Sequence, residues 1–320
     1  MRAAAMLEPY LSPCQRERSV RALAERMGGE LHEYGTSVQG RPLQVVRLPA
    51  QVSARGPTPR LLCCAGIHGV EYIAPALAMA CLQQADASPI VGLRERAELW
   101  IAPCLNPDGY ARTWAAGGRG RLAELRTNAR GVDLNRNYPI PGGASPRNLP
   151  WAGSARPGSA NFRGESPLSE PETYALDRLF TDVGFHAGLN LHSFMGTVIP
   201  ARVTDRSSYA TYISLARSFA QAQPGTRYRR LAHRKFDLFT GEQEDHQHHA
   251  RRTWAACIET FTVVASLRQH LRAPSLFWRF NPRQPERWIA NDLPGIAAYF
   301  ARSLELPPLP SKADPPSAGA

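Results

Sequence analysis

The sequence predicts an α/β fold: a single-domain mixed, mostly parallel twisted sheet with helices on both faces. Short apolar runs bounded by glycine read as buried strands, and helical patterns separate them. Of the 320 residues, 43% are hydrophobic and 20% charged, enough apolar side chain for a substantial core. A chain of this length fits one large α/β domain or two smaller ones. The division expected is an N-terminal helical segment over 1–30, a main domain over 31–305 and a disordered, Pro-rich tail over 306–320.

Residues 16–28 (RERSVRALAERMG) carry an amphipathic helical pattern that Gly28-Gly29 ends. Leu43 to Leu48 is strand-like, and Arg60 to Gly66 (RLLCCAG) reads as a buried strand. A helix carrying Ala74 to Gln83 follows, then a strand over Ala97 to Pro103 that ends at the turn-forming Asn106-Pro107-Asp108-Gly109. Tyr138 to Pro167 is rich in Pro, Gly, Ser and Arg, the composition of a functional or flexible loop. Ser169-Glu170-Pro171-Glu172 announces a helix, with Ser169 as N-cap and Glu172 closing a capping box. Gly188 to His192 predicts a strand, Tyr209 to Gln221 a helix, and Ala255 to Val264 a further strand.

Composition narrows the function classes. The net charge is +11, from 38 Lys+Arg against 27 Asp+Glu, but the arginines are scattered, with doublets only at Arg229-Arg230 and Arg251-Arg252. No nucleic-acid motif accompanies the charge, so solvated arginines are the favoured reading and no nucleic-acid partner is expected. Six cysteines form no CxxC pair, and Cys63, Cys64, Cys104 and Cys257 sit in apolar runs, where a thiol behaves as a small hydrophobe. Adjacent Cys63 and Cys64 would face opposite sides of a strand. The pattern argues against a disulfide framework and for a reducing compartment. The N-terminus lacks a convincing export signal, and no stretch approaches the roughly 20 apolar residues of a membrane span, so a soluble cytoplasmic protein with no membrane partner is expected.

Three clusters carry chemistry. In Gly66-Ile67-His68-Gly69-Val70-Glu71, a strand runs into His-x-x-Glu, a spacing that lets imidazole and carboxylate reach one ion. A buried histidine beside a capping glutamate gives the same string, so the motif alone leaves both readings open. His192 ends the strand Leu189-Asn190-Leu191-His192-Ser193, where functional side chains of α/β sheets gather. Two histidines and a glutamate form a catalytic zinc set with one open position. The string Arg126 to Pro139 is rich in Arg, Asn and Asp yet partly apolar. Its buried arginines need either internal acids or a substrate carboxylate as partners. Glu259, within Cys257-Ile258-Glu259-Thr260-Phe261, is a carboxylate in an apolar strand, which signals a job or a salt-bridge partner.

The order and spacing of HGVE, NPDGY, GVDLNRNYP, FRG with SEPET, LHS and CIETF over residues 30–265 resemble the zinc carboxypeptidase family, which includes pancreatic carboxypeptidases and bacterial murein peptide amidases. GTSVQGRPL (Gly35 to Leu43) resembles the family's opening strand signature. The resemblance implies one Zn²⁺ ion held by His68, Glu71 and His192, with Asp133 accepting the second ring N–H of His68. It implies Glu259 as catalytic base, Arg126 as oxyanion stabiliser, and Asn135 and Arg136 as the clasp for a substrate carboxylate. Residues 31–305 would then be the catalytic domain, and the partner a small peptide with a free carboxylate.

HGxE with LRTNARGVDLNRNYP looks most like murein peptide amidases, which cut the γ-D-glutamyl–diaminopimelate bond. An N-acyl amino acid deacylase resembling succinylglutamate desuccinylase is an alternative that the NPDGY and GVDLNRN blocks disfavour. A catalytically inactive or nucleic-acid-binding protein on the same fold is another, which the intact ligands and base disfavour. The mobile tyrosine of pancreatic-type members has no counterpart in Phe236-Asp237-Leu238-Phe239-Thr240. The run Glu242 to His249 (EQEDHQHH) reads first as a solvated polar loop, and second as a metal-binding or pH-sensitive lid. Glu244 and Asp245 in it are candidates to face a cationic substrate group.

Overall fold

The computed structural model of the chain describes residues 7–51, 56–141, 152–231, 240–272 and 274–310. Its strands are β1 (Glu30–Thr36), β2 (Pro42–Leu48), β3 (Arg60–Ala65), β4 (Glu98–Ala102), β5 (Ala187–Ser193), β6 (Thr197–Pro200), β7 (Arg229–Arg230) and β8 (Trp254–Thr260). They form one sheet in the order β1-β2-β4-β3-β5-β8-β6-β7. Neighbours within β4-β3-β5-β8 run parallel, while β1–β2, β2–β4 and β8–β6 pair antiparallel at the flanks and β6–β7 pairs parallel. The helices are α1 (Pro13–Arg26), α2 (Ile73–Gln83), α3 (Val91–Arg94), α4 (Pro107–Ala115), α5 (Leu122–Arg126), α6 (Pro171–Val183), α7 (Arg206–Ala222), α8 (Gln243–His249), α9 (Val263–Arg272), α10 (Leu276–Phe280) and α11 (Pro285–Ser303).

Strand alternation builds two cores from one sheet. Leu61 and Cys63 join Leu189, Leu191 and Ile258 under α2, α7 and α11, while Leu62 and Cys64 join Leu176, Leu179 and Phe180 of α6 on the opposite face. All six cysteines are free thiols, and only Cys14 is exposed. Among the described residues, no helix is long and apolar enough to cross a membrane.

Several boundaries depart from the sequence reading. Asn106 does not open a free turn. It caps α4, its side chain accepting from Gly109 N at 2.8 Å, and Pro107 fills the first helical position, where a missing N–H costs nothing. Helix α6 starts after Glu170, not Ser169, and no side chain caps it. Glu172 is instead spent on Val38 N at 3.1 Å and Asn128 Nδ2 at 3.2 Å, tying the helix to the β1–β2 turn. Strand β8 ends at Thr260, because Phe261 takes φ 71° and the chain turns into α9. Within the predicted loop Tyr138 to Pro167, residues 142–151 lie outside the described residues, and Ser154 bridges Phe162 beyond them. Of the expected tail, Leu306 and Leu309 pack against the core and Pro307 O accepts from Trp254 Nε1 at 3.1 Å; residues 311–320 lie outside the described residues. The Phe236–Phe239 stretch also lies outside them.

The run Glu242 to His249 is a correction of another kind. It folds as the buried helix α8, not a solvated loop, with residues 243–248 all enclosed. Polar partners replace water: Gln243 and Gln247 bond Asn190 at 2.8 and 3.0 Å, His246 meets Asp177 at 2.6 Å, and Tyr212 OH meets His248 at 2.8 Å. Satisfied hydrogen bonds remove most of the penalty of burying such groups.

Candidate metal centre and active site

Parallel register brings distant residues together. Leu191 pairs with Ala65 and with Ile258, and His192 pairs with Glu259. The carboxyl ends of β3, β5 and β8 therefore stand side by side, at the edge where α/β sheets place their ligands. Beyond β3, Gly66 takes φ 69°, a left-handed turn that an added Cβ would crowd against Pro75 and Cys104. Gly69 lies so close to Gly109 that a Cβ would approach its backbone carbon to 2.4 Å. Two glycines, one in HGVE and one in NPDG, thus let the β3–α2 loop press against α4.

His68 Nδ1 faces Glu71 Oε1 at 2.8 Å, and His192 Nδ1 faces Glu71 Oε2 at 3.2 Å. One donor atom from each of the three residues lies within 4.8 Å of the others, and all three are buried. His68 Nε2 lies 3.1 Å from Asp133 Oδ1, so a carboxylate faces the second ring nitrogen. Asp133 Oδ2 accepts from Arg126 Nε at 3.0 Å, and Arg126 Nη1 stands 3.7 Å from Glu71 Oε1. Burial pushes the Glu71 carboxyl up, but the two imidazoles outweigh it and hold Glu71 well below the usual carboxylate range. Burial likewise acts on Asp133, where Arg126 and His68 prevail and keep it ionised. Burial lowers His192.

Glu259 opens onto the same cleft, with Oε2 enclosed and without a hydrogen-bond partner among the described residues. Burial, then the negative charge of Glu71, raises its pKa well above the ordinary value. The cleft measures about 650 Å³ and is also lined by Arg126, Asn135, Arg136, Glu242 and Glu244. Of the sequence-predicted zinc, base, oxyanion and carboxylate-binding residues, all but Asp133 line this one space, and Asp133 sits directly behind His68.

The zinc carboxypeptidase family model matches residues 18–265. The chain belongs to this family. Carboxypeptidase O of Bos taurus is 27% identical over 217 residues, 62% of this chain and 55% of that protein. The inactive metallocarboxypeptidase ECM14 of Ajellomyces dermatitidis is 27% identical over 192 residues, 53% of this chain and 30% of its own length. The chain thus spans roughly a third to a half of these curated relatives. Bovine thrombin-activatable fibrinolysis inhibitor, solved with a tick carboxypeptidase inhibitor, superposes with a TM-score of 0.73 at 19% identity, over 93% of this chain and 98% of that one. That likeness shows the zinc carboxypeptidase fold.

The family binds zinc, and the donor chemistry here fits a divalent ion. Two imidazole nitrogens point at the two oxygens of one carboxylate, an arrangement that needs a shared cation or proton between each pair. Sequence reasoning missed Glu242. It lies between two arginines, 3.2 Å from Arg136 Nη1 and 2.8 Å from Arg202 Nη1. Nothing local in EQEDHQHH signals those partners, which come from a loop before α6 and a turn before α7. Asp245, the other candidate for a cation, is engaged by Arg202 N at 2.7 Å and Arg202 Nη1 at 3.2 Å and does not line the cleft, whereas Glu244 does.

Proposed function

We propose that this chain is a zinc-dependent carboxypeptidase or amidase that hydrolyses an amide bond near the C-terminal carboxylate of a small peptide. The observation that carries this reading is the convergence of His68, Glu71, His192, Arg126 and Glu259 on one cleft that Asn135, Arg136 and Glu244 also line. His68, Glu71 and His192 would hold one zinc ion, which supplies Lewis acidity and a lowered water pKa when bound. Asp133 fixes the His68 tautomer. Glu259 takes the proton of the attacking water and returns it to the leaving nitrogen, a role that its place in the same cleft as the three donors suits. Arg126 faces the developing oxyanion with a guanidinium whose charge Asp133 and Glu71 secure. Asn135 and Arg136 bind the substrate carboxylate, Arg through its planar fork.

Glu244 refines the substrate. Burial, then Glu242 and Asp245, pushes its pKa up to about 8, so a lone carboxyl there holds its proton near neutrality. A substrate ammonium would pair with it and draw it into the ionised form. Diaminopimelate carries such an ammonium beside its carboxylates, and a murein peptide with a γ-D-glutamyl–diaminopimelate bond is the substrate we favour. The test is mass spectrometry of products from a peptide mixture that includes murein tripeptide, with and without a chelator. Release of diaminopimelate that chelation stops, and that Glu244→Gln slows roughly ten-fold or more relative to an apolar substrate, supports the reading. Trimming of ordinary C-terminal residues with murein tripeptide ignored overturns the murein assignment. Hydrolysis that survives complete removal of metal overturns the enzyme class.

A further inference from the structure

Helix α9 is built inside out. Beside Ala265, which packs on the core, its protein-facing side is polar: Ser266 Oγ donates to Arg279 O at 2.6 Å, and Gln269 Nε2 donates to Asn281 O at 2.8 Å. Its aliphatic side faces solvent. Val263, Val264, Leu267 and Leu271 are 46, 59, 48 and 73% exposed, and their spacing puts them on one helical arc. Four clustered exposed aliphatics on one helix mark a contact surface rather than scattered surface residues.

The arc has a basic border. Arg268 and Arg272 follow it around the helix, and with Arg283 and Arg287 they line a groove of about 590 Å³ between α9 and the start of α11 that no carboxylate lines. None of the four forms an ion pair with a described residue. Arg283 stacks 4.2 Å from the Trp278 ring, and Arg287 lies 5.7 Å from that of Trp288. Guanidinium groups held by rings, without counter-charges, are set out for anions.

We propose that α9 docks peripherally on an anionic lipid surface, with the aliphatic arc in the headgroup–acyl boundary and the arginine groove on the lipid phosphates. An exposed aliphatic face bordered by arginine is the composition of an interfacial helix. Charge selects this occupant over a second copy of the chain, since pairing two such faces would bring unpaired arginines of one sign together. The sequence expectation of no membrane partner rested on the lack of a spanning stretch, which surface docking does not need. The arc starts beside the active-site cleft: Gly196 packs against Thr262, next to Val263, and neighbouring Met195 lines the cleft at 41% exposure. Docking would therefore bring the cleft rim near the lipid.

Co-sedimentation of the full chain with phosphatidylcholine vesicles, with or without phosphatidylglycerol, tests this. The chain is expected on the phosphatidylglycerol vesicles alone, with binding that weakens as salt rises. Arg268→Gln with Arg272→Gln is expected to weaken it roughly thirty-fold, at about five-fold per arginine near an anionic surface. Val264→Ser with Leu271→Ser is expected to weaken it at least roughly ten-fold, with solution hydrolysis and melting temperature unchanged. Indifference to phosphatidylglycerol, or binding unchanged in both double variants, overturns the proposal. So does a dimer in sedimentation analysis that Leu271→Ser dissolves, or inorganic phosphate or a DNA oligonucleotide bound in preference to the vesicles.

Discussion

At Glu259, a single carboxylate oxygen without a hydrogen-bond partner marks the group that has work to do. It follows Trp254 to Ile258, an apolar run of β8, so a glutamate with no partner for Oε2 among the described residues would be a liability unless substrate or water engaged it. Glu259→Gln keeps the shape and removes the base. We expect kcat/KM to fall by roughly 10²–10⁴-fold with zinc content still near one ion per chain, measured by steady-state assay and metal analysis on the same sample. Full activity with the metal retained would remove Glu259 from the mechanism. The placements of His68, Glu71, His192 and Glu259 were legible because each follows or ends an apolar strand, and parallel strands deliver their carboxyl ends to one edge. Glu242 was not legible, since its meaning depends on Arg136 and Arg202 arriving from elsewhere in the chain.

Helix α8 shows how an element can hide in a sequence. Seven residues without an apolar stripe read as solvent-exposed, yet Asp177, Asn190, Tyr212 and Arg202 hydrogen-bond to its side chains and take the place of water at most of them. Helix α11 hid differently: Pro294 and Gly295 interrupt its middle, but Gly295 is what lets the Phe219 ring of α7 approach to within 2.9 Å of where a Cβ would stand. The burial of α8 has a pH signature. Burial, then repulsion from His249, pushes His248 down to about 3. A group depressed in the folded state leaves the fold intact above its unfolded value near ~6.5 and withdraws stability as pH falls toward the folded value. Between about pH 6.5 and pH 5 this histidine alone removes roughly 2 kcal/mol. His248→Gln retains an acceptor for Tyr212 and does not titrate, so urea unfolding of this variant should lose that much less stability over the same window. Parallel slopes for the two proteins would show that His248 already protonates within the fold.

For the molecule as a whole, the cleft sets Glu71, Glu242, Glu244 and Glu259 among Arg126, Arg136, Arg202 and Arg230, with the donors His68, Glu71 and His192 in the same lining. A bound cation that the unfolded chain cannot hold raises stability by mass action. Chelation is therefore expected to lower the melting temperature by roughly 5–10 °C in calorimetry, and zinc to restore both melting and hydrolysis. An unchanged melting temperature with the metal fully removed would mean that the three donors do not bind it in the folded state. The sheet imposes one last condition. Residues 192 and 259 are lateral partners in adjacent central strands, so the ladder of peptide hydrogen bonds sets the gap between them. Neither backbone can creep toward the other, and both ride together on any breathing of the sheet. An aspartate at position 259 would stop one methylene short of its target, with no slack in the scaffold to carry it across.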